Sequence, residues 1–166
     1  MALTYESDVI KNRHLYPPTS PRSAREVHCQ KFEVEITAAL QANDLIGLAP
    51  LPGDCIPVDI VYHSDDLDSG GTPALVMDVG VLNTARDDLV ADSNLVTGST
   101  VGQSAGFQRM NDYKGALEAA TWLAKSDCPH LEDEKVVAAK VTTAPATGAT
   151  GKIRGILFYR ASEFKQ

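Results

Sequence analysis

Three groups of side chains in this chain have the chemistry to hold a metal ion or to attack a substrate. Asp65, Asp66 and Asp68, followed by Gly70 and Gly71, offer carboxylate oxygens of the kind that hard cations such as calcium take. Their order departs from an EF-hand loop, which wants a third ligand where Gly70 stands. Aspartates in such a run also cap backbone donors while the glycines supply positive φ, and the order favours this turn reading. Cys128-Pro129-His130 brings a thiol and an imidazole together, but a zinc site needs about four ligands, usually from paired clusters. His14, His28, His63, Cys29 and Cys55 are scattered instead. Ser104, within Gly102 to Gly106, could join His63 and Asp66 as a triad on paper, yet no clear strand leads into it as a nucleophile elbow requires. A glycosidase needs two carboxylates across a cleft, and among the 22 acids no pair stands out. Neither a P-loop nor a dinucleotide-binding glycine fingerprint occurs. The expectation is a protein that is not an enzyme, with no cofactor and no metal.

The elements that must carry these residues read as strands. Pro57 to Leu82 and Lys135 to Arg160 each form a pair of alternating strands around a polar, glycine-bearing turn. Ile56, Val58, Ile60 and Tyr62 share one face, as do Leu75, Met77, Val79 and Val81. From Glu26 to Thr37, Val27, Cys29, Lys31, Glu33 and Glu35 alternate with a set that becomes apolar at Phe32, Val34 and Ile36, as in a strand with one wet face. Asn43-Asp44 and Pro52-Gly53-Asp54 read as turns. Residues 83–106 read as a long surface excursion with one short helical turn at Asp87 to Ala91. Gly115 to Lys125 suits a short helix or a strand, with Trp122 in the core. In the last strand Ile153, Leu157 and Tyr159 face one way and Ile156 and Phe158 the other, so both faces are expected to be covered. Strands at this spacing predict an all-β antiparallel sandwich or jelly roll with at most short helices.

Residues 1–25 differ. Tyr16-Pro17-Pro18-Thr19-Ser20-Pro21 can neither continue a helix nor enter a central strand. The segment is an extended N-terminal arm or a disordered tail, ahead of a single domain at residues 26–166. Val9, Ile10, Leu15, Tyr16, Pro17 and Pro18 are its candidate partner contacts. The net charge of −7 and the lack of a basic stripe argue against a nucleic-acid partner. No apolar run is long enough for a membrane span, and the first residues lack signal-peptide regions, so synthesis in a cytoplasm is expected. Three widely spaced cysteines do not form a disulfide framework.

Several stretches together resemble small virion proteins of tailed bacteriophages. They are Ala39 to Ile46 with Leu48, Leu51 and Pro52; Val58 to Ile60; Asp65 to Gly70; Met77 to Val81; Val141 to Ile153; and Leu157 to Tyr159. The resemblance spans about Phe32 to Tyr159 and is least over Lys114 to Glu134. The family it resembles comprises head decoration, or cement, proteins. It implies a homo-oligomer, commonly a trimer, that binds the major capsid protein on the outside of the expanded shell, with the arm reaching a neighbour. Another virion part (a head–tail connector, tail or fibre-base protein) and a carbohydrate- or small-ligand-binding β-module are the alternative expectations.

Overall fold

The computed structural model describes residues 4–11, 26–52, 55–115, 117 and 135–161. These residues form a two-layer β-sandwich, as expected. Its strands are β1 (Tyr5–Glu6), β2 (Val27–Ile36), β3 (Leu45–Leu51), β4 (Cys55–Ser64), β5 (Val76–Leu82), β6 (Leu89–Ser99), β7 (Gly106–Arg109), β8 (Lys135–Thr143) and β9 (Gly151–Ala161). They are accompanied by a helical turn, α1 (Asp8–Lys11), a 3-10 turn at Val101–Gln103 and helical residues at Tyr113, Lys114, Gly115 and Leu117. One sheet runs β1-β3-β8-β5-β6 and the other β2-β9-β4-β7. All pairings are antiparallel except β1 with β3. Among the described residues no helix is long and apolar enough to cross a membrane.

The core between the layers follows from alternation. On β2, Phe32, Val34 and Ile36 are buried while Lys31, Glu33 and Glu35 are exposed. Leu75, Met77, Val79 and Val81 are fully buried, as their spacing predicts. β8 is buried along nearly all its length because it lies in mid-sheet with apolar residues on both sides. Its second side meets a satellite cluster of Ile10, Leu45, Leu82, Val136 and Ala138. Two polar groups cross the main core: the Tyr62 hydroxyl on β4 donates to Ser99 Oγ on β6 at 2.8 Å, linking the sheets. Burial pushes the Tyr62 hydroxyl up to about 12 despite that bond.

Four expectations need correction. The strands flanking each glycine-bearing turn do not pair with one another: β4 and β5 belong to different sheets, and so do β8 and β9. Each turn is a crossover between layers. Val58 is not buried alongside Ile56 and Ile60, because a bulge between Pro57 and Asp59 breaks the alternation and leaves it 36% exposed. The stretch from Leu89 to Ser99 is an edge strand rather than a surface excursion with a helical turn. Three register shifts against β5, together with positive φ at Asp92 and Gly98, break its alternation and hide it from periodicity. Lastly, β9 presents Ile156 and Phe158 half-buried on the outer side of its sheet.

Of the N-terminal contact candidates, Ile10 is 1% exposed and sits in this chain's own satellite cluster. Ser7 anchors the turn before it, accepting the backbone N–H of Ile10 at its Oγ at 3.3 Å. Leu15, Tyr16, Pro17 and Pro18 lie outside the described residues, as do Trp122, Cys128 and His130.

Gly155 shows how tightly the inner face of the β2-β9-β4-β7 sheet is filled. Any Cβ there would run into the Val61 carbonyl, the Phe32 ring and Tyr62. Gly155→Val is therefore expected to cost several kcal/mol, about 3 or more, and Ile10→Ala about 2–4 kcal/mol. Urea denaturation midpoints check both. A Gly155→Val protein as stable as the parent would show that the aromatic pair can open.

Candidate functional site

Two features stand out: a carboxylate that ties the crossovers, and an apolar strip on an outer sheet face. The crossovers come first. Residues 65–75 lead from β4 to β5 and residues 144–150 from β8 to β9, at the same end of the sandwich. Asp68, 1% exposed, lies between them. Its Oδ2 accepts the backbone N–H groups of Ala74 at 2.6 Å, Leu75 at 3.0 Å and Ala146 at 3.0 Å. Its Oδ1 accepts that of Thr147 at 2.9 Å. Burial by itself pushes this carboxyl up, but the four N–H donors outweigh it and hold the group well below the ordinary carboxylate range. Backbone bonds from Ser69 to Thr147 and from Ala149 to Leu67, both 3.0 Å, complete the seam.

The neighbouring aspartates are occupied too. Asp66 Oδ1 accepts the Asp68 N–H at 3.0 Å. Asp65 Oδ2 accepts the Lys152 N–H at 2.9 Å and lies 3.4 Å from the Arg154 guanidinium. This is the turn reading: the three carboxylates cap backbone donors. Among the described residues no group of three or more His, Cys, Asp or Glu side chains converges on an ion site.

The paper triad does not assemble. His63 Nδ1 lies 3.8 Å from Asp65 and its ring stacks edge-on against Phe107, with centroids 4.8 Å apart. Ser104 is exposed and meets neither His63 nor Asp66. Its run, Gly102 to Gly106, has the Gly-x-Ser-x-Gly lettering of an elbow, but it follows a 3-10 turn and leads into strand β7 instead of a helix. Cys29 is exposed and Cys55 buried, on different faces of their sheet.

The second feature was hidden by treating both sides of β9 as covered. Register places Lys31, Ile156, Val61 and Arg109 in one rung across β2-β9-β4-β7. Glu33, Arg154, His63 and Phe107 form the next rung, and Cys29, Phe158 and Asp59 the one on the other side. Directly opposed residues share a face, so an apolar strip of Phe158, Ile156, Val61 and Phe107 runs obliquely across the outer surface. Phe107 is 80% exposed. A groove of about 690 Å³ lies along the strip, lined entirely by these four strands. Charged pairs bound it: Arg109 Nε and Nη2 donate to Asp59 Oδ2 at 2.7 and 2.6 Å, and Lys152 Nζ donates to Glu33 at 2.6 Å. The Lys152 bond holds Glu33 below its usual range. The readable signal was apolar residues on both faces of β9 beside a β2 with one wet face.

Asp68→Asn keeps the shape and loses the charge, so four N–H groups face an amide with a single acceptor oxygen. The melting temperature should fall by roughly 5 °C or more. The native carboxyl titrates below its unfolded value, so its contribution is full above about pH 4 and drains away as pH falls through the folded value. Melting curves from pH 7 to pH 2 should therefore show a steeper acid loss in the parent than in Asp68→Asn. Parallel curves would sink this assignment. Calcium and a chelator should each leave the parent's melting temperature unchanged.

No protein-family model and no curated protein matches the chain. Solved structures do. A chain from the capsid of Ralstonia phage GP4 is 31% identical, over 96% of this chain and 98% of that one, with a TM-score of 0.75. A chain from the cyanophage Pam1 capsid asymmetric unit shares the fold at a TM-score of 0.53 and 21% identity, over 86% of this chain and 91% of that one. Identity at that level along nearly the whole of both chains places this protein in the family of the GP4 capsid chain: it is a structural protein of the bacteriophage virion.

Proposed function

We propose that the protein is a head decoration, or cement, protein that binds the outside of the expanded capsid and stiffens it. The observation that carries this reading is the likeness, along nearly the whole of both chains, to a chain from a phage capsid. The two packed sheets of the described residues form a block suited to sitting on a shell. The order β2-β9-β4-β7 over β3-β8-β5-β6, with β1 added at one edge, supports a double-sheet jelly-roll reading of the sandwich. The net charge of −7 suits the outer surface, where the chain is clear of packaged DNA.

The mechanism is additive and needs no catalysis. Each copy, in a homo-oligomer such as a trimer, contacts the major capsid protein of neighbouring positions and raises the cost of their separation. Linked contacts raise effective concentration without one strong site. Leu15, Tyr16, Pro17 and Pro18 are the proposed arm contacts, together with Val9; Ile10 is spent on the chain's own packing.

Co-sedimentation with expanded, undecorated heads of the parent phage tests the role. Saturable binding at a fixed ratio to the major capsid protein is the expected result. Tyr16→Asp with Leu15→Asp should lower occupancy while leaving the melting temperature unaltered. Heads that bind nothing, in a preparation where tails or connectors do, would move the protein to another part of the virion.

A further inference from the structure

We propose that the open edge of β2 takes up an extended segment of the major capsid protein as an added strand, with a cationic side chain of that segment entering the cleft beside it. The inference rests on the cement reading for its partner and on the edge itself for the manner of binding. The two sheets have four edge strands, β1, β6, β2 and β7. An edge strand templates a foreign strand unless it is short, bulged or covered. β1 has two residues and β7 four. β6 is bulged, and Asn111 and Asp112 lie along it, both donating their backbone N–H groups to the Leu95 carbonyl at 3.2 Å. β2 has none of these guards among the described residues: it runs ten residues against β9 without a register shift.

Backbone bonds fix which groups of β2 are open. The Met110 N–H donates to the Ile60 carbonyl at 3.0 Å, so Ile60, Tyr62 and Ser64 turn their backbone groups to β7 and the residues between them turn theirs to β9. The Asp65 N–H, donating to the Lys152 carbonyl at 2.9 Å, keeps the same phase. Register then gives His28, Gln30, Phe32, Val34 and Ile36 the bonds to β9. Val27, Cys29, Lys31, Glu33 and Glu35 direct their N–H and C=O groups outward, where no strand meets them among the described residues. Such a row suits one kind of ligand, an extended polypeptide. Beside it lies a cleft of about 320 Å³, bordered by Thr4, Tyr5, Glu6 and Lys11 and by Glu35 and Thr37. Alternate side chains of an added strand turn to the side of the sheet where β1 and α1 stand. Charge selects among them. Lys11 is paired with Asp8 at 4.0 Å and Lys152 with Glu33 at 2.6 Å, whereas Glu6 and Glu35 form no ion pair among the described residues. The cleft is left acidic, which favours lysine or arginine in the entering segment.

Hydrogen exchange of the full chain, free and bound to expanded, undecorated heads of the parent phage, tests this, with fragmentation resolving single amides. In the free protein the amides of Cys29, Lys31, Glu33 and Glu35 should exchange fast while those of Gln30, Phe32 and Val34 are protected. On heads the first set should slow by about tenfold or more. Lys31→Pro removes one outward donor and leaves the β9 ladder intact, at a position where an edge strand tolerates proline. It should lower the occupancy of heads severalfold, whereas Lys31→Ala, which keeps the N–H, should bind as the parent does. The protein carrying both Glu6→Gln and Glu35→Gln should bind more weakly and with less dependence on salt. Heads that take up the protein while its outward amides still exchange fast overturn this inference and leave the cement reading standing. Outward amides already protected in the free protein also overturn it, since the edge is then covered before any partner arrives. Heads that take up no protein overturn both. The exchange pattern is read on the parent, so it decides the matter even if Lys31→Pro fails to fold.

Discussion

Both oxygens of one carboxylate, Asp68, are saturated by four backbone N–H groups drawn from two loops nearly eighty residues apart in sequence. The constraint behind this is topological. The β4–β5 and β8–β9 connections both pass between layers at the same end of the sandwich, and each passage frees backbone donors that no strand can satisfy. Buried amides without acceptors are costly. One ionised acceptor resolves four of them at once, which explains why an aspartate tolerates a site that is 1% exposed. The seam also fixes where β4 and β9 begin and end relative to β5 and β8, so the spacing of the layers is set from this corner.

The outer face inherits its flat, ordered rungs from what lies beneath. Gly155 lets Phe32 and Tyr62 close against β9 from below, and the Tyr62 hydroxyl reaches the opposite sheet at Ser99. With their undersides fixed, β9 and β4 hold Ile156, Val61 and Phe158 in register. A rigid scaffold of this kind lowers the ordering cost of a contact. The peripheral ion pairs add little stability, since Arg109 and Lys152 are largely solvated. Their value is in keeping long side chains off the apolar strip.

Much of the layer structure was legible because it rests on local alternation. Phe32, Val34 and Ile36, or Leu75 through Val81, declare their buried face two residues at a time. The Asp65 to Gly71 run was likewise readable as a turn, although the residues that Asp68 caps were not: Ala146 and Thr147 are distant in sequence, and no local pattern links them. Pairing was illegible for the same reason. A glycine-rich loop between two strands looks alike whether it closes a hairpin or crosses between sheets. β6 was lost because bulges reset its period, and Val58 was misplaced by a single extra residue. The apolar strip was visible in part, as Ile156 and Phe158, but its anchor Phe107 sits in a four-residue strand too short to show any period.

The pairing order has a kinetic corollary. In the four-stranded sheet β9 is the strand on which β2 and β4 both depend, and among the described residues it follows every other strand. β2 and β4 have no ladder of their own to each other, so this layer cannot form until Gly151–Ala161 has left the ribosome. Such long-range closure makes folding slow. It also orders events: the rungs that carry Phe158, Ile156 and Val61 come into existence only once Gly151–Ala161 is available to pair with both β2 and β4.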